Sequence, residues 1–252
     1  MNPRTLVVGL GLTGEAVARR CAPTGSVTVV EDRPGNGFAE RAGLLRALGV
    51  TVVGHPDLAA LSALVSAADL VVPSPGVAES HPVYGLAARA GVAVRSEIEL
   101  AGTAAAALGR PLVAVTGTNG KTTVTTLVAE MVNAAGRRAS AAGNIGRPLI
   151  DAVHDDDAEV VVAEVSSFQL RFTETFRPGV AVFLNAAADH LDWHDSFGAY
   201  VAAKARVFSA QGPDDLLVYN ADDAAVAEVA AGAPGRRVAF SIAGTRQPGG
   251  YG

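Results

Sequence analysis

Ala114-Val115-Thr116-Gly117-Thr118-Asn119-Gly120-Lys121-Thr122-Thr123 decides how the rest of the chain is read. A Val-rich block, PLVAVTG, runs into a glycine-rich turn, and the turn ends in Gly-Lys-Thr where the helical stretch TTVTTLVAEMVNAAG begins. Strand, glycine turn and helix in that order offer backbone N–H groups to a phosphate, and a lysine at the helix start neutralises its charge. The Thr122 hydroxyl stands where the Ser/Thr of a phosphate loop meets Mg²⁺. The general pattern has glycine five positions before Gly120, and Val115 holds that position, so the loop is a shortened G-x-x-G-K-T. A chance Gly-Lys-Thr in a solvated loop is the bland alternative; the strand before and the helix after weigh against it.

Toward the N-terminus a second glycine turn follows the same plan. Gly9-Leu10-Gly11-Leu12-Thr13-Gly14 is a G-x-G-x-x-G between the β-rich TLVVGLG and the helical GEAVARRCA. Glu31 and Asp32 close the next apolar block, SVTVVED, about where a Rossmann acid meets a ribose hydroxyl. Alone this suggests NAD; glycines that merely allow close helix–strand packing are the alternative. VTVVG, ADLVVPSPG and VAVRSE continue as short Val-rich runs, the pattern of strands buried on both faces of a parallel sheet. The expected fold is α/β: a Rossmann-like domain over residues 1–95 and a P-loop-type α/β domain over 96–252. SEIELAGTAAAALGR joins them as a helix and connector. AEVVVAEVSS, GVAVFLNAAA, DLLVYNADD and RRVAFSI supply later strands, and SFGAYVAAKARVFSAQG an amphipathic helix capped by Ser196.

Composition narrows the function classes. Among 252 residues, 49% are hydrophobic and 18% charged, enough apolar material for a core and against wholesale disorder. A net charge of −5 argues against a dedicated nucleic-acid binder. The single cysteine, Cys21, excludes an intrachain disulfide framework and reads as a small buried hydrophobe. Charge-free runs stop at about eleven residues, short of a membrane span, and the glycine-broken N-terminus does not read as a secretory signal, so a soluble cytoplasmic protein is expected. Asp155-Asp156-Asp157 reads as a solvated loop rather than a metal site. No oligomer is predicted.

TGTNGKTTVTTL resembles the ATP loop of the Mur ligases, the amino-acid-adding enzymes of peptidoglycan synthesis. GLGLTG, SPGV at Ser74–Val77, GNIGRPL from Gly143, EVSSFQL from Glu164, NAAADHLDWH from Asn185, AAKARVF around Lys204 and NADD from Asn220 follow in the family's order. SSFQ is most similar to the D-glutamate-adding branch. The resemblance implies an ATP-dependent, ADP-forming ligase that phosphorylates a carboxylate and lets an amine displace the phosphate. Its substrates would be UDP-N-acetylmuramoyl-L-alanine and D-glutamate, with no nucleic acid or membrane as partner.

Residue roles follow from the same resemblance. Gly117, Thr118, Asn119, Gly120, Lys121, Thr122 and Thr123 would hold the ATP phosphates, with Lys121 on the β/γ-phosphates. Thr122 would ligate a first Mg²⁺, and Glu164, His190 and an N-carbamylated Lys204 a second. Without the family, Lys204 reads as a plain exposed lysine on its helix. Leu12 and Thr13 would approach the diphosphate, and Ser74, Pro75 and Gly76 shape the pocket wall. Glu31, Asp32 and Arg33 occupy the uridine-contacting segment, where they depart from an Asp-Thr-Arg pattern. Asn144, Ser166 and Gln169 would line a central cleft; hydrogen bonding to local backbone is the alternative for the last two. The loop-like tail AGTRQPGGYG reads as a central domain cut short, before the family's C-terminal domain. The competing readings are an NAD(P)-binding oxidoreductase, a sister or folate-type polyglutamate ligase, and a silent nucleotide-binding module.

Overall fold

Short runs of valine and alanine, punctuated by glycine, fold into two all-parallel sheets. The computed structural model describes residues 2–188 and 194–244, and the chain divides into two units, Met1–Glu97 and Ile98–Gly252. The first unit alternates β1 (Arg4–Val8), α1 (Leu12–Cys21), β2 (Ser26–Glu31), α2 (Phe38–Ala47), β3 (Thr51–Gly54), α3 (Leu58–Ala67), β4 (Leu70–Pro73), α4 (Pro82–Ala90) and β5 (Ala93–Val94). Its sheet order is β3-β2-β1-β4-β5. Val7, Val29, Val30 and Val71 are wholly buried. Each such side chain contributes about 1.5–3 kcal/mol over leaving it in water.

α5 (Glu97–Ala107) begins at the boundary and runs into the second unit, which goes on with β6 (Leu112–Thr116), α6 (Lys121–Ala134), β7 (Ala139–Gly143), α7 (Leu149–Ala152), β8 (Val160–Glu164), α8 (Ser167–Leu170), β9 (Val180–Phe183), α9 (Phe197–Ser209), β10 (Leu216–Asn220), α10 (Ala224–Ala230) and β11 (Arg236–Phe240). The order is β11-β10-β9-β6-β8-β7. β7 is a strand that the sequence pattern does not mark. Its residues, ASAAG, carry no β-branched or aromatic side chain; its parallel ladder with β8 supplies what propensity lacks. Ser196 caps α9 as expected, its hydroxyl accepting the Ala199 N–H at 3.1 Å. The buried Glu99 of α5 anchors a loop of this unit: its carboxylate accepts the N–H groups of Glu174, Thr175 and Phe176 and the Thr175 hydroxyl.

In each unit the chain crosses from one side of the starting strand to the other, at β1 in the first sheet and β6 in the second. Open α/β sheets bind ligands outside the carboxyl ends of the strands at such switch points. Both glycine turns lie there. Cys21 is half-buried, and its burial pushes the thiol pKa up. Asp155 pairs with Arg147, whose hydrogen bond holds the carboxyl below its usual range.

Candidate functional site: two glycine turns at two switch points

β6 delivers its loop between β8 and β9, and Gly117 is needed because the next strand's continuation packs straight onto it. A Cβ there would lie 3.0 Å from Leu184 Cβ. Gly120, at φ +80°, caps α6 in the left-handed region. Beyond it the first N–H groups of α6 have no intrahelical partner. Lys121 folds back over the loop, its Nζ donating to the Gly117 carbonyl at 3.0 Å and the Thr118 carbonyl at 2.8 Å. Lys204 Nζ donates to the same Gly117 carbonyl at 2.8 Å. Two ammonium groups on one carbonyl, beside a helix N-terminus, make this a place for polyanion.

Lys204 is not the solvated lysine that its helix pattern allowed. It is 2% exposed, on the buried face of α9, with its Nζ 4.6 Å from the centre of the Tyr200 ring. Tyr200 in turn shares a hydrogen bond with the Thr118 hydroxyl at 3.0 Å. The ring of His194 meets Tyr200 edge-on and reaches the Ser167 hydroxyl at 3.0 Å.

Opposite the lysines, Glu164 ends β8 almost wholly buried. One carboxylate oxygen accepts the Thr122 hydroxyl at 2.7 Å, and the other accepts the Asn144 amide at 2.9 Å. Asn144 gets there because Gly143 lets β7 pass β8 closely; a Cβ on Gly143 would sit 2.3 Å from the Glu164 carbonyl oxygen. A hydroxyl and a carboxylate in contact suit a hard cation such as Mg²⁺. His190 lies outside the described residues. Thr123 stands exposed on the first turn of α6. Ser166 and Gln169 are occupied with each other: Ser166 Oγ accepts the Gln169 N–H at 3.3 Å, and Gln169 Oε1 accepts the Ser166 N–H at 3.0 Å, capping α8. This is the local hydrogen bonding left open beside a ligand role.

Asn185, which opens the NAAADHLDWH stretch, is a site residue to which the motifs assign no role. Its Oδ1 accepts both the Thr118 and Asn119 N–H groups, and its Nδ2 donates to the Asn119 carbonyl. The signal was present, since an asparagine directly after a buried strand opposite a glycine loop is placed to bond that loop's backbone. The NADD stretch holds the same segment: Asn220 donates to the Leu184 carbonyl, and Asp223 accepts the Ala186 N–H. Its Asp222 carboxyl is kept below the usual range by the Ser241 hydroxyl.

The first turn is built differently. Gly9 (φ +93°) abuts Ser74, whose hydroxyl donates to the Gly9 carbonyl at 3.0 Å. Gly14 has no room for a side chain, since a Cβ would fall 1.9 Å from the Gly9 oxygen. Glu31 closes the turn, accepting the Leu10 N–H at 2.7 Å and the Arg33 N–H at 2.9 Å. One of the two acids placed to meet a dinucleotide's ribose, Glu31, is thus engaged by the turn itself. Asp32, exposed, accepts from His81 Nε2 at 2.7 Å; His81 Nδ1 accepts the Val83 N–H, so the ring's proton sits on Nε2. Arg33, Gly76 and Leu12 are exposed, and Thr13 and Pro75 half-buried, around this end of the sheet.

Residues 115–248 match the family model described as the Mur ligase middle domain. The chain belongs to the Mur ligase family. It is 47% identical over 230 residues to the UDP-N-acetylmuramoylalanine–D-glutamate ligase of Trichlorobacter lovleyi, covering 90% of this chain and 50% of that protein. It is 44% identical over 245 residues to the enzyme of the same name from Frankia casuarinae, covering 96% and 50%. The chain spans about half the length of the curated relatives it matches. Among solved structures it is similar to the UDP-N-acetylmuramate:L-alanyl-gamma-D-glutamyl-meso-diaminopimelate ligase of Neisseria meningitides, with a TM-score of 0.60 at 19% identity over 95% of this chain and 78% of that one. A murein peptide ligase of Psychrobacter arcticus follows, with a TM-score of 0.54 at 19% identity over 94% and 53%. Both are likenesses of fold.

Proposed function

We propose that the chain is the substrate- and ATP-binding part of a cytoplasmic ligase that adds D-glutamate to UDP-N-acetylmuramoyl-L-alanine in peptidoglycan synthesis. The observation that carries this is the second turn: Lys121 folded over the loop carbonyls at the start of α6, with the Thr122 hydroxyl on the Glu164 carboxylate next to it. Residues 1–95 would bind the UDP moiety through Leu12, Thr13, Ser74, Pro75 and Gly76, with Asp32 and Arg33 toward the uracil. Residues 96–252 would bind ATP. The relatives' names and the order of the motifs support the choice of substrates. No helix among the described residues is long and apolar enough to cross a membrane, which fits small soluble substrates.

In the reaction, a carboxylate oxygen of the UDP-substrate attacks the γ-phosphorus, the bond to the β-phosphate oxygen breaks, and ADP leaves an acyl phosphate. The amine of D-glutamate then attacks the acyl carbon, loses a proton and expels phosphate, giving the amide. Such chemistry asks for positioning and charge neutralisation rather than a protein nucleophile. Lys121 would leave the loop carbonyls for the β/γ-phosphates. Thr122 and Glu164 would hold Mg²⁺, with a second site completed by His190 and Lys204; the bound ions supply further neutralisation of phosphate charge. Carbamylation of Lys204 would remove an ammonium from beside Lys121 and put oxygen ligands in its place.

Calorimetric titration with UDP-N-acetylmuramoyl-L-alanine and, separately, NAD tests the first unit. Binding of the UDP-substrate alone is expected, and binding of NAD alone would overturn the reading in favour of an oxidoreductase. For the second unit, Lys121→Ala should abolish Mg-ATP binding while leaving UDP-substrate affinity within about twofold. Retained ATP affinity would remove Lys121 from the phosphate site.

A further inference from the structure

The phosphate loop is held by a residue outside it, and the way it is held selects which of its N–H groups are left for phosphate. Asn185 Oδ1 takes the Thr118 N–H at 3.0 Å and the Asn119 N–H at 2.9 Å, while its Nδ2 returns a bond to the Asn119 carbonyl at 3.1 Å. The Thr118 N–H also reaches the Asn185 carbonyl at 3.0 Å. One amide side chain therefore satisfies both donors and one acceptor of the loop's apex. The Thr118 hydroxyl accepts the Ala187 N–H at 2.9 Å, extending the clasp by two residues.

The clasp itself is braced. Asn220, at the end of β10, donates to the Leu184 carbonyl at 3.0 Å, and Asp223 accepts the Ala186 N–H at 2.7 Å. These two bonds flank Asn185 on either side. Asp223 also caps α10, accepting the Ala225 and Val226 N–H groups, so its carboxylate is fixed from both directions. Position is thus relayed from β10 through the β9 loop to the glycine turn.

We propose that Asn185 is the positioning residue of the phosphate loop, and that it confines the anion cradle to the N–H groups of Gly120, Lys121, Thr122 and Thr123. This rests on the ATP reading above. A loop shortened to G-x-x-G-K-T has fewer residues to wrap a phosphate; with the Thr118 and Asn119 N–H groups committed to an amide oxygen, the start of α6 carries the anion. Thr118 and Asn119 then act by shape, without donating to the nucleotide.

Amide NMR of this chain with Mg-ADP as probe decides it. On binding, the largest shifts are expected at Gly120, Lys121, Thr122 and Thr123, with Thr118 and Asn119 still protected from exchange. Asn185→Ala should remove that protection, leave β6 and β9 amides protected, and weaken Mg-ADP by about 10- to 100-fold. Asn185→Asp keeps an oxygen for both N–H groups and should restore their protection, a rescue that a merely destabilised variant would not show. UMP binding by the first unit should stay unchanged throughout. Wild-type protein that binds Mg-ADP with exchange and shifts dominated by Thr118 and Asn119 would overturn the assignment, as would unchanged affinity in Asn185→Ala. Wild-type protein that binds no Mg-ADP would bring down the ATP reading and this inference together.

Discussion

The two glycine turns share a plan and differ in what closes them. Each follows a central strand of a parallel sheet, each opens a helix, and each leans on glycine where a second backbone comes close. The first is closed by a carboxylate, Glu31, bonded to the Leu10 N–H. The second is closed by a neutral amide, Asn185, and overlaid by two lysines. An anion beside the first turn must use donors other than Leu10; an anion beside the second meets cations already in place. The same strand–turn–helix signature therefore encodes a phosphate-capable backbone, and the neighbouring strands decide its electrostatics.

The comparison breaks most sharply at Gly14. Gly14→Ala drives a Cβ into the Gly9 carbonyl, which can yield only by moving helix or strand. A loss of about 3 kcal/mol is expected, read by chemical denaturation as early melting of the first unit with the second unit's transition unmoved. A single unshifted transition would show that the turn has slack the geometry does not suggest.

Glu31→Ala tests whether the carboxylate closes the first turn. It strands the part-buried Leu10 N–H, while the exposed Arg33 N–H turns to water, and should cost about 2 kcal/mol, with both amides exchanging faster. If NAD binding appears in this variant, Glu31 was excluding it.

Gly120→Ala probes the second turn, where space is open but φ is +80°. The strain is about 1–2 kcal/mol, smaller than at Gly14 because nothing collides. Thermal melting should show a modest drop, and Mg-ADP affinity should fall more than stability does.

The smallest effect lies at the other end of the first sheet. The Arg4 side chain donates hydrogen bonds to Asp69 and lowers the Asp69 pKa to about 2. A depressed carboxyl contributes stability that is present above its unfolded value, near 3.9, and is lost as pH falls through about 2. Both side chains are exposed, so the effect should be slight and screened by salt. An NMR titration of the Asp69 carboxyl between pH 5 and 1.5 checks it. A midpoint near 3.9 would show that the pair does not persist in solution.

Much of the fold was legible because its signals are local. Among the described residues, every strand but β7 sits within a Val-rich or apolar block that the sequence marks out, and Ser196 announced its helix three residues ahead of the N–H it caps. β7 was illegible, because Ala139–Gly143 has no β propensity and becomes a strand only by pairing with β8. At the site, glycine and lysine spacing exposed the phosphate loop, and helical spacing sets Lys204 in line with the apolar Tyr200, Val207 and Phe208. What its ammonium meets there, the Gly117 carbonyl, lies 87 positions away.

The sequence by itself determined that two parallel α/β units form, where each glycine turn lies, and that one of them carries a lysine and a threonine at a helix start. These follow from backbone sterics and from apolar periodicity, which act over a few residues. Only the tertiary structure decided what each turn faces. Glu164 meets Thr122 across 42 positions, and Asn185 meets Thr118 across 67. Side chains that distant come together because parallel crossovers stack the carboxyl ends of β6, β8 and β9 side by side, and that adjacency is written in the sheet order rather than in any stretch of the chain.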